Sequence, residues 1–170
     1  MEILFLFGIP LFLANCIHQF VVIPLRLLSS IAIPIDTLMA SSRQIFFGSK
    51  KTLRGFVVIS ICTGIIAFIA ASAAGANAPW IGTLGLLVGF IYMLGELPNS
   101  FLKRRLGIAE SSRGDGAWSI FFRIFDHCDS TAAATLAIAL LYSPLFYDLL
   151  LFFSLATAAH VGVNVLLRKI

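Results

Sequence analysis

The sequence predicts an all-α integral membrane protein. It is a single domain, residues 1–170, with five transmembrane helices, the N-terminus outside and the C-terminus in the cytoplasm. Apolar residues make up 59% of the chain, and its mean hydropathy of +1.00 is well above the globular norm. These residues gather into five runs separated by polar segments. All twelve Lys and Arg residues fall in segments 26–55, 99–129 and 168–170, and none in the N-terminus, 75–80 or 143–148. Cytoplasmic loops collect Lys and Arg, so this asymmetry sets the orientation.

The first span is expected over about Ile3–Leu25. It begins Met1-Glu2 without a basic region or a small-residue cleavage site, which marks a retained span and not a secretory signal. The second is expected over Phe56–Ala74 and the third over Ile81–Leu97. The fourth, Ser130–Tyr142, is short of the ~20 residues a crossing needs and borrows a turn from Ile124–Asp129 or is screened by neighbours. The fifth covers about Leu145–Leu167. Gly82, Gly85, Gly89 and Gly95 form a small-residue edge on the third span, suited to close helix packing within a monomer or, less simply, in a homodimer. Cys16 and Cys62 lie in apolar runs and read as small hydrophobes, not as a disulfide framework.

Polar side chains at membrane depth are costly and mark either a site or interhelical hydrogen bonds. Asn15, His18 and Gln19 share one face of the first helix, and Ser154, Thr157, His160 and Asn164 form a stripe on the fifth. Helix packing is the expected role of His18, Gln19, Ser154 and Thr157. For Asn15, His160 and Asn164 a site is the competing reading.

Two basic loops are expected on the cytoplasmic side, where together they form the site. The first ends Gly48-Ser49-Lys50-Lys51-Thr52-Leu53-Arg54-Gly55 and runs into the second helix. A glycine turn with cations at a helix N-terminus suits phosphate, although a charged membrane anchor would look the same. It is not a Walker A loop, which needs G-x-x-x-x-G-K-[ST] after a strand. In the second loop Glu96 is followed by Ser100, Lys103, Arg104 and Arg105. If the helix continues past Pro98, Ser100, Lys103 and Arg104 share a face, where Arg offers bidentate phosphate contacts and Lys a compact charge. Asp126 and Asp129 then pair either as carboxylates for Mg²⁺ or as a helix cap, with Asp129-Ser130 as the N-cap.

The net charge of +4 does not indicate nucleic acid, because no soluble domain presents the cations. Asp115-Gly116 with Arg123, Asp126 and Asp129 is superficially like the signature of CDP-alcohol phosphotransferases. Ala117 directly after Gly116 and the two-residue aspartate spacing break that pattern.

Together the pieces resemble the CDP-archaeol synthase family, relatives of the CTP:phosphatidate cytidylyltransferases. The resemblance runs from Pro10 to Asn164 and includes Pro10, Asn15, Pro34-Ile35-Asp36 and Gly48-x-x-Lys51-Thr52-x-Arg54-Gly55. It continues through Ser100-Phe101-Leu102-Lys103-Arg104-Arg105-Leu106-Gly107-Ile108, Asp126-x-x-Asp129, His160 and Asn164. Three places depart from the family pattern. Gly95-Glu96 stands for Gly-Asp, Ser41-Ser42 for an acidic-Gly pair, and His127-Cys128 for the commoner Gln-Leu.

The resemblance implies transfer of CMP from CTP to an isoprenoid ether-lipid phosphate in the cytoplasmic (inner) cell membrane. It implies Mg²⁺ on Glu96, Asp126 and Asp129, with Lys51, Arg54, Lys103, Asp126 and Asp129 as the catalytic set. Phosphate contacts would come from Lys51, Thr52, Arg54, Ser100, Lys103, Arg104 and Arg105, and Asn15, Asp36, His160 and Asn164 would line the intramembrane side near the lipid head. The same chemistry on phosphatidate is one alternative. A non-catalytic binder or transporter of anionic lipid is another.

Overall fold

The computed structural model describes residues 2–39, 45–110, 112 and 117–167. Ser41-Ser42 and Asp115-Gly116 lie outside the described residues, as does the side chain of Asn164. The described residues form helices and no strand. Five helices are long and apolar enough to cross a membrane.

Helix α1 (Leu4–Val22) begins and ends in π-helical turns, Leu4–Gly8 and His18–Val22. After it the chain turns sharply, with Arg26 and Leu28 at positive φ, and reaches the short helix α2 (Ile35–Leu38). An isolated bridge pairs Pro34 with Thr52, with Ile35 N donating to Lys51 O at 2.8 Å and Leu53 N to Ile33 O at 2.9 Å. That bridge delivers the chain into α3 (Leu53–Ala73), whose N-cap Thr52 accepts from Gly55 N. Helix α4 (Ala78–Arg105) opens on an Asn77 cap, α5 covers Ala117–Tyr142, and α6 covers Phe146–Leu167.

Two boundaries differ from expectation, and both differences enlarge the site. Helix α4 does not stop at Leu97. It runs through Pro98 for two more turns, although Pro98 lacks an N–H and crowds the Leu94 carbonyl. Asn99 and Lys103 in this extension are buried against α5 and anchor it. Gly107, at φ +71, then ends the helix, with Ile108 N donating to Lys103 O at 2.9 Å. Helix α5 is likewise no short span, for it starts at Ala117. Trp118, Phe121, Phe122 and Phe125 pack ring on ring along its first turns, with Phe121 and Phe125 4.7 Å apart, and so carry the helix in before its polar residues. Asp126 and Asp129 therefore sit inside a continuous helix, and the capping role for Asp129 is excluded.

Helix α4 is the centre of the bundle, packed most extensively on α3 and next on α5, while α1 lies on α3 and α6 on α5. The α3–α4 contact is glycine-mediated. A Cβ at Gly89 would sit 2.9 Å from Ile59 O, so the backbones touch within this one chain. Gly95 does the same toward α5, where a Cβ would meet Ala133 Cβ at 2.5 Å and Asp129 O at 2.9 Å. Phe7, Ile59, Leu84, Val88, Ile138 and Phe152 fill the core. Large apolar side chains such as Ile65, Ile69, Leu136 and Leu140 face outward, as lipid-facing surfaces require. Tyr142 Oη donates to Glu2 at 2.6 Å, tying the start of α1 to the end of α5, on the side away from the basic segments.

Candidate active site

A cavity of about 720 Å³ opens where α4 and α5 carry their polar residues, and all five long helices contribute to its wall. The first basic loop supplies Ser49, Lys50, Lys51 and Thr52, and α3 adds Arg54. Helix α4 supplies Glu96, Asn99, Ser100, Lys103 and Arg104, α5 supplies Asp126 and Asp129, α1 supplies Asn15, His18 and Gln19, and α6 supplies His160.

The loop is shaped from a distance. Asp36 was expected near an intramembrane lipid head, and the structure corrects this. It lies on α2, between the spans, and its carboxylate accepts from Phe46 N (3.1 Å), Phe47 N (2.9 Å) and Gly48 N (2.9 Å). An acid that collects three successive amides fixes the turn leading to Lys51. Gly48 takes φ +98 there, and a side chain would run into the Glu110 carboxylate. Glu110 in turn accepts from Ser49 N (2.6 Å) and Ser49 Oγ (2.8 Å), joining the two basic segments across the cavity. Those two bonds hold the Glu110 carboxyl below the usual carboxylate range. The contact therefore stands at neutral pH and weakens only as acid protonates it. Replacing Asp36 by Ala strands three amides and is expected to cost about 1–3 kcal/mol. The checks are a lower melting temperature in detergent and faster amide hydrogen exchange at residues 46–48.

The cations are already paired. Lys51 Nζ donates to Glu96, and Lys103 Nζ to Asp126. Burial works against the Lys51 ammonium, but the attraction of Glu96, with Asp129 and Asp126 beyond it, prevails and holds its pKa above the ordinary lysine value. Lys103 also lies over the Phe122 ring, 5.3 Å from its centre. Arg54 Nη1 donates to Leu27 O at 3.3 Å and Arg104 Nη1 to Ile108 O at 2.5 Å, so both guanidinium groups are braced by backbone. Arg105 departs from expectation. Its guanidinium stacks on Phe46 and Phe101, 5.0 and 4.9 Å from the ring centres, and it does not line the cavity.

The carboxylates divide into two groups. Asn99 Nδ2 lies 2.8 Å from both Asp126 Oδ1 and Asp129 Oδ2, so one amide spans the pair. Two carboxylates this close, beside cations that attract phosphate, match the donor set by which Mg²⁺ is held. Glu96, expected as a third ligand, is drawn instead to Lys51. Among the described residues no group of three acidic, His or Cys side chains converges on a metal position. The fit to Mg²⁺ rests on Asp126 and Asp129.

Several lining residues were not expected in the site. Asn99 is buried between the two aspartates, and its Oδ1 has no partner among the described residues. Its spacing of four from Lys103 was a usable signal, since both face α5. His18 and Gln19 were assigned to helix packing, yet both line the cavity, and His18 Nε2 is buried without a hydrogen bond. Thr157 does pack as expected, 2.8 Å from Thr131 on α5, whereas Ser154 bonds its own helix at Leu150 O. His160 Nδ1 lies 2.8 Å from Tyr92 Oη at the deep end of the site.

The sequence model of a protein family described as the cytidylyltransferase family matches residues 47–145. The matched segment holds Lys51, Thr52, Arg54, Glu96, Ser100, Lys103, Arg104, Asp126 and Asp129, and it leaves Asn15, Asp36 and His160 outside. No curated protein and no solved structure matches the chain.

Proposed function

The chain belongs to the cytidylyltransferase family, a family of membrane lipid synthesis enzymes, and on that premise we propose that it transfers CMP from CTP to an isoprenoid ether-lipid phosphate. The products are a CDP-archaeol-like lipid and pyrophosphate. The observation that carries this reading is one cavity holding Lys51, Arg54, Lys103 and Arg104 beside the bridged Asp126–Asp129 pair, at the edge of five membrane-length helices. The ether-lipid preference rests on the motif resemblance, and the cytoplasmic placement of the cavity on the distribution of Lys and Arg.

In the reaction, a non-bridging oxygen of the lipid phosphate attacks the α-phosphorus of CTP. A new P–O–P linkage forms, and the bond from the α-phosphorus to the oxygen bridging to the β-phosphorus breaks. Pyrophosphate leaves with that electron pair, and any proton on the lipid phosphate passes to solvent. Catalysis is then mostly positioning and charge stabilisation. Lys51 and Lys103 exchange Glu96 and Asp126 for phosphate oxygens. Arg54 and Arg104, with backbone-braced guanidinium groups, orient the triphosphate, and Thr52 and Ser100 add hydroxyl donors. Asp126 and Asp129 would hold Mg²⁺, which would supply positive charge to the triphosphate when bound.

The test supplies purified protein with CTP, Mg²⁺ and either an ether-linked or an ester-linked lipid phosphate. CDP-lipid and pyrophosphate are expected in equal amounts, faster with the ether lipid. A clear preference for the ester lipid reassigns the substrate, and no product from either lipid sinks the enzymatic reading.

A further inference from the structure

A second cavity, of about 380 Å³, runs between α1 and α6. Leu4, Ile9, Leu11, Phe12 and Leu155 supply large apolar side chains to its wall, with Gly8 and Ala159 as small residues between them. Tyr92 of α4 and Thr131 of α5 also line it. Phe12 and Leu155 are exposed at its rim, so the groove faces outward, toward where lipid lies. At one end the lining turns polar. Asn15 and His160 stand there, and both also line the cation-bearing cavity. The Tyr92–His160 hydrogen bond marks this junction. From Leu4 to Asn15 the helix rises roughly 16 Å, about half the ~30 Å hydrocarbon thickness, so a chain led away from Asn15 toward Leu4 has that length of groove to lie in.

From this continuity the geometry points to the α1–α6 groove as a binding site for one hydrocarbon chain of the lipid phosphate whose head reacts in the cation-lined cavity. The inference rests on the lipid-phosphate cytidylyltransferase reading and adds a location for the tail. A lipid with its phosphate beside Lys51 and Lys103 must lead its chains away from charge. The groove is an apolar surface that meets that cavity directly, through Asn15 and His160. A passing bilayer lipid has no such head-group anchor, so the substrate chain is the occupant that the shared wall selects.

The experiment fills the groove with Ala159→Phe and compares a long-chain lipid phosphate with a short-chain, water-soluble analogue. The preference for the long-chain over the short-chain substrate should fall roughly tenfold or more, with CTP binding confirming an intact fold. Leu136→Phe, on the outward face of α5, serves as the control and should leave both rates unchanged. Equal slowing of both substrates, or no change in preference, overturns the inference. In parallel, the wild-type protein is photolabelled with a lipid phosphate carrying a diazirine on its chain. Labels on α1 and α6 at Phe12 and Leu155 support the site. Equal labelling there by a phosphocholine lipid with the same chain assigns the groove to bulk lipid and overturns it. The labelling decides the matter if Ala159→Phe does not fold. It also stands if the wild-type protein makes no CDP-lipid, a result that removes the enzymatic reading while groove labelling selective for the phosphate lipid is still scored.

Discussion

Asp126→Asn is expected to lower CDP-lipid turnover by roughly 10²–10³-fold, the scale seen when one preorganised electrostatic group is removed from a site. Asp126 accepts from Asn99 and from Lys103, and it is half of the carboxylate pair that suits Mg²⁺. The amide keeps the shape and loses the charge. Lys103 then lacks its resting partner, and the pair loses one anionic donor, so the Mg²⁺ concentration needed for half-maximal rate should rise. Melting temperature and elution volume in detergent check that the fold survives. Full activity in Asp126→Asn would remove this residue from the site.

Lys51→Met should abolish measurable turnover and cost about 3 kcal/mol of stability, at the low end for breaking a buried ion pair. The low end applies because about a fifth of each side chain stays exposed, 23% for Lys51 and 19% for Glu96. The cost comes from leaving the Glu96 carboxylate without its ammonium. Adding Glu96→Leu to Lys51→Met should therefore recover most of the stability and none of the activity. A thermal melt of the four proteins in that cycle, with CDP-lipid formation measured alongside, separates the two effects. Stability lost equally in the single and double variants would show that Lys51 acts through packing and not through Glu96. Glu96→Asp installs the acid of the pattern that the sequence resembles and should retain turnover, because in the proposed reaction the phosphate takes over Lys51 when substrate binds.

The five spans were legible because lipid exposure demands long apolar runs, and those runs appear in the sequence without any knowledge of packing. The ends of α4 and α5 were not. There hydropathy fades while the helix continues, and continuation depends on Asn99 and Lys103 meeting Asp126 and Asp129 on another helix. The shared face of Ser100, Lys103 and Arg104 was readable from helical spacing, and all three line the cavity. Asp36, Glu110 and Arg105 act through partners distant in sequence or through rings on another segment. Asp36 reaches amides ten to twelve residues away, and Glu110 reaches Ser49 across sixty-one. The motif resemblance assigned Arg105 to phosphate, while the stacked Phe46 and Phe101 rings that hold it are brought together only by the fold. Glu96 was readable as a departure from the family pattern, but not as the partner of Lys51.

The pairing of Lys51 with Glu96 and of Lys103 with Asp126 also bears on how so charged a cavity persists beside a bilayer. Five cations and four carboxylates line it, so the resting site is close to neutral. On the proposed function, a triphosphate entering such a cavity would perform an ion exchange. It would displace anions that are tethered to the chain and cannot diffuse away, and Asp126, once displaced from Lys103, would be available to a metal as the nucleotide arrives. The protein carries its own counterions, and on the proposed function their release would couple occupancy by the nucleotide to occupancy by the cation that accompanies it.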